Sequence, residues 1–283
     1  MTAMPNQPRA VSAPMRTDAA GVARGYLRFA ALGDSATYGV GDMAHFGSRG
    51  WARILADAVA REHDVSFCNS ARAGALVADV RRDQLPQALA HRPHLASLIV
   101  GLNDTMRSTW DPAQLRADLL HCAEQLIGNG AVLLTVRFHD HTRVFGLPRL
   151  ITRPLRSRID VLNDVYDEIH DRHGSLRVDL DAHPGIYDRE FWSIDRLHPS
   201  ELGHRALAHE FAALLRLHGV VFDGPALDLD GPVPSRLDNL LWMVAEGAPW
   251  VARRARDLAP IFARGLLPAR MSQRQRHSHE HAG

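Results

Sequence analysis

Five short apolar runs, separated by segments of helical period, constrain this chain more than any other feature. The runs occupy 27–32, 65–68, 95–100, 131–138 and 176–180. Between them lie amphipathic stretches. Segment 48–62 places Trp51, Ile54, Leu55, Ala58 and Val59 at helical spacing, and 76–90 turns Leu76, Val80 and Leu89 inward, with Pro86 as a potential break. Asp111-Pro112 reads as an N-cap followed by proline at the first helical position, and Gly128-Asn129-Gly130 as the stop. Segment 154–173 carries Ile159, Leu162, Val165 and Ile169 on one face, and Ser200 caps a last helix running to 218. Several runs are apolar at successive positions, so both faces of the sheet must be covered. That pattern predicts an α/β fold: a three-layer α/β/α sandwich around five parallel strands. In such sheets the chemistry collects at the carboxyl ends of the strands.

Composition narrows the function class. The chain has 283 residues, 46% of them apolar, enough to bury a substantial core. Lys plus Arg is 33 and Asp plus Glu is 32, so overall charge gives no reason to expect nucleic-acid binding. Two cysteines, Cys68 and Cys122, cannot build a disulfide scaffold and are expected as reduced thiols, with Cys68 a small buried residue. No apolar run approaches the ~20 residues of a membrane span. The first 26 residues contain Pro5, Pro8 and Pro14 and no secretory apolar stretch; they are expected to be a disordered leader, and the protein to be cytoplasmic.

Four segments fall at the expected edge. After the first run comes GDSATYGVGD (33–42); after the second, NSARAG (69–74); after the third, GLND (101–104); and after the fifth, DRLHPS (195–200). Each holds a residue type that acyl transfer needs. A serine hydroxyl requires a base, a histidine can be that base, and a carboxylate three residues away can fix its tautomer. A tetrahedral oxyanion requires N–H donors. Ser35 and Gly74 offer backbone donors, and Asn103 offers a side-chain amide. Taken singly, each segment is an ordinary turn: a turn serine, a loop-to-helix junction, a backbone glycine, an Asn-Asp pair. All four in order are not independent accidents.

These blocks resemble those of the SGNH hydrolases, the GDSL-type esterase and lipase superfamily. The resemblance spans about 28–218 and implies a flavodoxin-like domain. It implies Ser35 as nucleophile, His198 as base and Asp195 as its orienting acid. The oxyanion hole would comprise Ser35, Gly74 and Asn103. The first block reads Gly-Asp-Ser-Ala rather than Gly-Asp-Ser-Leu. The expected activity is cleavage of a small-molecule carboxylic ester through an acyl-enzyme on Ser35, with no metal or organic cofactor. An acyltransferase using a sugar or alcohol acceptor, and a non-catalytic binding protein on the same scaffold, are the alternatives.

Other features carry less. Gly33–Asp42 has neither a Gly-x-Gly-x-x-Gly nor a Gly-Lys-Ser/Thr pattern, so dinucleotide and P-loop readings fail. His139-Asp140-His141 suggests metal ligands, but no third ligand follows by spacing, and a polar loop near the site mouth is preferred. Arg137, Arg143, Arg149, Arg153, Arg156 and Arg158 make a basic stretch, read mainly as a solvated face.

Beyond the domain (27–220), residues 221–234 read as a linker rich in Pro, Gly and Asp. Leu237, Leu240, Leu241 and Val244 then follow an amphipathic stripe, and 250–267 carries Arg253, Arg254, Arg256 and Arg264. This helical extension (235–270) is expected to pack back on the domain or to form a homodimer, in preference to a membrane contact. A polar, disordered tail (271–283) is expected to follow.

Overall fold

The computed structural model describes residues 15–17, 23–44, 47–146, 148–229 and 259. Strand β1 (Ala23–Gly33) lies at the centre of the sheet. It pairs in parallel with β2 (Asp64–Asn69) on one side and with β3 (Leu95–Ile99) on the other. Strand β4 (Val132–Arg137) joins β3, and β5 (Leu176–Asp179) joins β4, both parallel. The order 2-1-3-4-5 is the flavodoxin-like arrangement, with its reversal of strand order beside β1.

Five helices cover the sheet. Helix α1 (Gly50–Val59) packs on the last helix, which runs Glu201–Leu217. Helix α2 is continuous through Val77–Asp79, Val80–Gln84 and Leu85–Ala90; it packs on α3 (Pro112–Gly128), which packs on α4 (Arg149–His173). The last helix is α5. The two groups are the outer layers of the sandwich. Trp51 of α1 and Phe211 of α5 are fully buried, with ring centroids 4.9 Å apart, and Phe29 of β1 lies beneath Trp51. Burying each such side chain contributes about 1.5–3 kcal/mol. All five residues of β3 are buried, whereas edge strand β2 is only half-buried.

The strand and helix boundaries differ from expectation in four places. Residues 15–17, assigned to the disordered leader, form a strand antiparallel to the start of β1, with Met15 opposite Gly25 and Thr17 opposite Ala23. That pairing extends β1 upstream of Leu27, through residues whose polar side chains gave no apolar signal. Pro86 does not break α2. The preceding turn, Val80–Gln84, widens to π geometry and the helix continues past the missing N–H. Helix α4 begins at Arg149, upstream of Pro154. The first four N–H groups of a helix have no intrahelical partner, so a proline just beyond them costs only one bond. The described part of the linker, 221–229, is tied to the domain. Its Val221 carbonyl pairs with His63, Arg205 donates to the Ala226 carbonyl, and Phe222 is buried. Apart from residue 259, the helical extension and the tail lie outside the described residues. The expected caps are present. Asp111 accepts from the Ala113 and Gln114 N–H groups at 3.0 Å each, and Ser200 accepts from Gly203.

Candidate active site

Sheet register brings three of the four blocks together. Ala31 is paired with Asn69 and Gly33 with Ile99, so the chain leaves β1, β2 and β3 at one edge. Gly33 must be glycine for space. A Cβ there would lie 2.5 Å from the Ile99 carbonyl oxygen and 2.6 Å from Thr37 Oγ1. Asp34 then caps a single helical turn, Ser35–Tyr38, by accepting from the Ala36 N–H at 3.1 Å. Ser35 is the first residue of that turn. Gly74 has φ +78°, in the left-handed region that favours glycine, and open space beside it.

The fourth block is brought in by a loop. Trp192 and Pro199 form an isolated antiparallel bridge, and the Ser193 N–H donates to the His198 carbonyl. Inside this closed loop Asp195 Oδ1 accepts from Ser193 Oγ (2.6 Å), Leu197 N (2.8 Å) and His198 N (3.0 Å). Its other oxygen is 2.5 Å from His198 Nδ1, and His198 Nε2 is 2.8 Å from Ser35 Oγ. Burial alone would raise the Asp195 pKa. The hydrogen bonds and charge of His198, with the Ser193 and backbone donors, outweigh it and hold the carboxyl well below the usual range. An ionised carboxylate only accepts, so His198 Nδ1 must carry the proton. Nε2 is then left with a lone pair facing the Ser35 hydroxyl.

Ser35, Gly74, Asn103 and His198 line one cavity of about 230 Å³. Its remaining wall is mostly apolar, from Leu102, Met106, Phe145, Leu155 and Ile159. One Asn103 Nδ2 hydrogen goes to the Ala75 carbonyl at 3.1 Å, which leaves the second free. Among the described residues neither the Ser35 nor the Gly74 backbone N–H has a hydrogen-bond acceptor. The site therefore gathers a hydroxyl, an imidazole, a carboxylate and three unspent N–H donors around a mostly apolar pocket. All five residues singled out by the sequence are brought together.

Residues 31–206 match the GDSL-like Lipase/Acylhydrolase family. The chain belongs to this family of hydrolases. The fold of this GDSL-like hydrolase is shared with solved structures at low identity. LAE5, an alpha/beta hydrolase enzyme from the metagenome of Lake Arreo, is 20% identical with a TM-score of 0.56, over 68% of this chain and 96% of its own. TesA is 22% identical with a TM-score of 0.52, over 68% and 99%. Axe2, an acetylxylan esterase from Geobacillus stearothermophilus, is 21% identical with a TM-score of 0.54, over 67% and 94%. Among curated proteins none matches the sequence. No helix among the described residues is long and apolar enough to cross a membrane.

Several supporting residues of this GDSL-like hydrolase carried no local signal. Gln84, on the π turn of α2, is buried and clamps both the N–H and the carbonyl of Gly33 at 2.9 Å each. Only its distance from any motif hides it. Asn69 donates to the Thr37 carbonyl and accepts from Ala71, so the second block props the turn that carries Ser35. Asp104 accepts from the Val77 N–H, and burial pushes its pKa up to about 7; burial likewise raises Asp34 to about 6.

The His139-Asp140-His141 segment is not the polar loop expected at the site mouth. Both histidines are buried, and they are hydrogen-bonded to each other. Among the described residues no three His, Cys, Asp or Glu side chains converge as metal ligands. No arginine lines the pocket. Arg137 pairs with Asp167, Arg156 with Asp140, and Arg158 donates to the Thr105 and Arg107 carbonyls. Cys68 is a free, half-buried thiol; Cys122 is buried, which pushes its pKa up to about 12.

Proposed function

We propose that this protein is a serine ester hydrolase. The unbroken chain from Ser35 Oγ through His198 to Asp195, set in the wall of the pocket, carries the reading. Ser35 Oγ attacks the ester carbonyl carbon while His198 Nε2 takes its proton. Asp195 holds the imidazole by Nδ1 and stabilises its cation. The carbonyl oxygen becomes an oxyanion, met by the Ser35 N–H, the Gly74 N–H and the Asn103 amide. Collapse breaks the bond to the alcohol oxygen, which leaves with the proton from His198. The acyl group stays on Ser35. Water then attacks that acyl-enzyme with His198 again as base; the acid departs and Ser35 regains its proton.

The side chains of Leu102, Met106, Phe145, Leu155 and Ile159 support an apolar part of the ester lying in the pocket. None of these steps calls for a metal or an organic cofactor. A panel of p-nitrophenyl esters tests the reading. Ser35→Ala should lower turnover by ~10³ or more with the fold intact. A variant that keeps near-wild-type turnover contradicts the assignment.

A further inference from the structure

We propose that His139 and His141 form a two-imidazole buttress for the acid–base loop, in which His141 is a positioning residue that presents Nε2–H to the Arg196 carbonyl. The inference rests on the hydrolase reading above and adds a residue outside the triad.

The pair is built with care for its protons. Asn163 fixes the backbone from which His139 departs, accepting from the Phe138 N–H at 2.7 Å and donating to the Phe138 carbonyl at 2.8 Å. His139 Nε2 then lies 2.8 Å from His141 Nδ1. Burial lowers the pKa of both rings, that of His141 to about 4, so the pair is neutral and holds two N–H protons. One lies between the rings. The other sits at an outer end, on His139 Nδ1 or on His141 Nε2. Both outer nitrogens are buried without a hydrogen-bond partner.

The two ends are not equivalent. His139 is packed against the Trp192 and Tyr187 rings. Beside His141 stands the Arg196 carbonyl, close enough to favour a proton there though short of a formed bond. The proton therefore belongs on His141 Nε2, with His139 donating to His141 Nδ1.

Arg196 lies between Asp195 and His198 with φ +54°, a left-handed conformation unusual for a residue with a side chain. Something must hold it, and an N–H aimed at its carbonyl does so. The same pair also grips the loop by packing. Trp192 stacks on His139 (4.8 Å) and lies edge-on to His141 (5.0 Å), and it forms the bridge to Pro199 that closes the loop. A neutral pair suits the position. When His198 becomes a cation during turnover, a charged His141 would oppose it.

The test compares His141→Phe, which keeps a ring against Phe145 and Trp192, with His141→Gln, which restores a terminal amide N–H. Two readings are taken on the full chain: the rate of fluorophosphonate labelling at Ser35, and kcat and KM for p-nitrophenyl butyrate. The Phe variant should lose about 10- to 100-fold in both labelling rate and kcat, the scale of a misplaced catalytic group. Its KM should stay within roughly threefold of wild type, and the Gln variant should recover most of the loss. Wild-type labelling by the Phe variant, a loss confined to KM, or a Gln variant no better than Phe would each overturn the proposal. If the Phe variant does not fold, His139→Phe takes its place. It should lose activity in kcat, because the tautomer lock is gone, and an unchanged kcat would count against the buttress. Failure of wild type itself to label at Ser35 would instead sink the hydrolase reading.

Discussion

Ser35 leaves the end of a central buried strand, whereas Asp195 and His198 sit on a loop whose only strand-like feature is the Trp192–Pro199 bridge. The position of the first follows from the sheet. β1 is flanked by two parallel strands, and Gly33 is clamped by Gln84 and crowded by Ile99. The position of the second has to be assembled locally, from three donors on one carboxylate oxygen and a wall of aromatic and imidazole rings. A strand end is held by the same contacts that hold the fold. A loop can be perturbed with little cost to the fold and large cost to the chemistry.

That contrast can be broken by experiment. On the loop side, Asp195→Asn should lower kcat by ~10³–10⁴, the size of the same carboxylate-to-amide change in other triads. Global stability at neutral pH should fall less than activity suggests. The sign of the pH effect follows from the depressed Asp195 pKa. Its ionised form stabilises the fold above the unfolded carboxylate value of ~3.9, and that contribution fades as pH falls towards the folded value. The stability gap between wild type and variant should therefore narrow in acid, as thermal melts across pH would read. A gap that widens in acid would contradict the environment assigned to Asp195.

On the strand side, Asn103→Ala should cost roughly 10²–10³ in kcat, as loss of one oxyanion donor does. It should also lower Tm, because the Ala75 carbonyl loses its partner. One such bond contributes about 0.5–1.5 kcal/mol. If Asn103→Ala spares stability while Asp195→Asn unfolds the chain, the contrast between the two regions is wrong.

The same contrast decides what was legible in the residues. Strand ends announce themselves, because an apolar run stops at Gly33, Cys68 or Val100 and polar chemistry follows at once. The five site residues were legible for that reason, with Asp195 and His198 only three apart. Gln84 was not, since it lies mid-helix and acts across 51 residues on Gly33. Nor was the His139–His141 pair. Alternating histidines look like a solvated turn until the fold shows Trp192, some fifty residues away, packed over them. The upstream part of β1 was hidden by Arg24 and Gly25, whose place in the sheet comes from pairing rather than from apolar content.

The central claim is that Ser35 carries the acyl group during turnover. Acid-quenching the reaction of the full chain with a p-nitrophenyl ester, followed by peptide mass mapping, measures this directly. The account predicts an acyl adduct on the peptide containing Ser35, absent in Ser35→Ala. Steady turnover with no adduct on that peptide, or with the adduct on another residue, would contradict it.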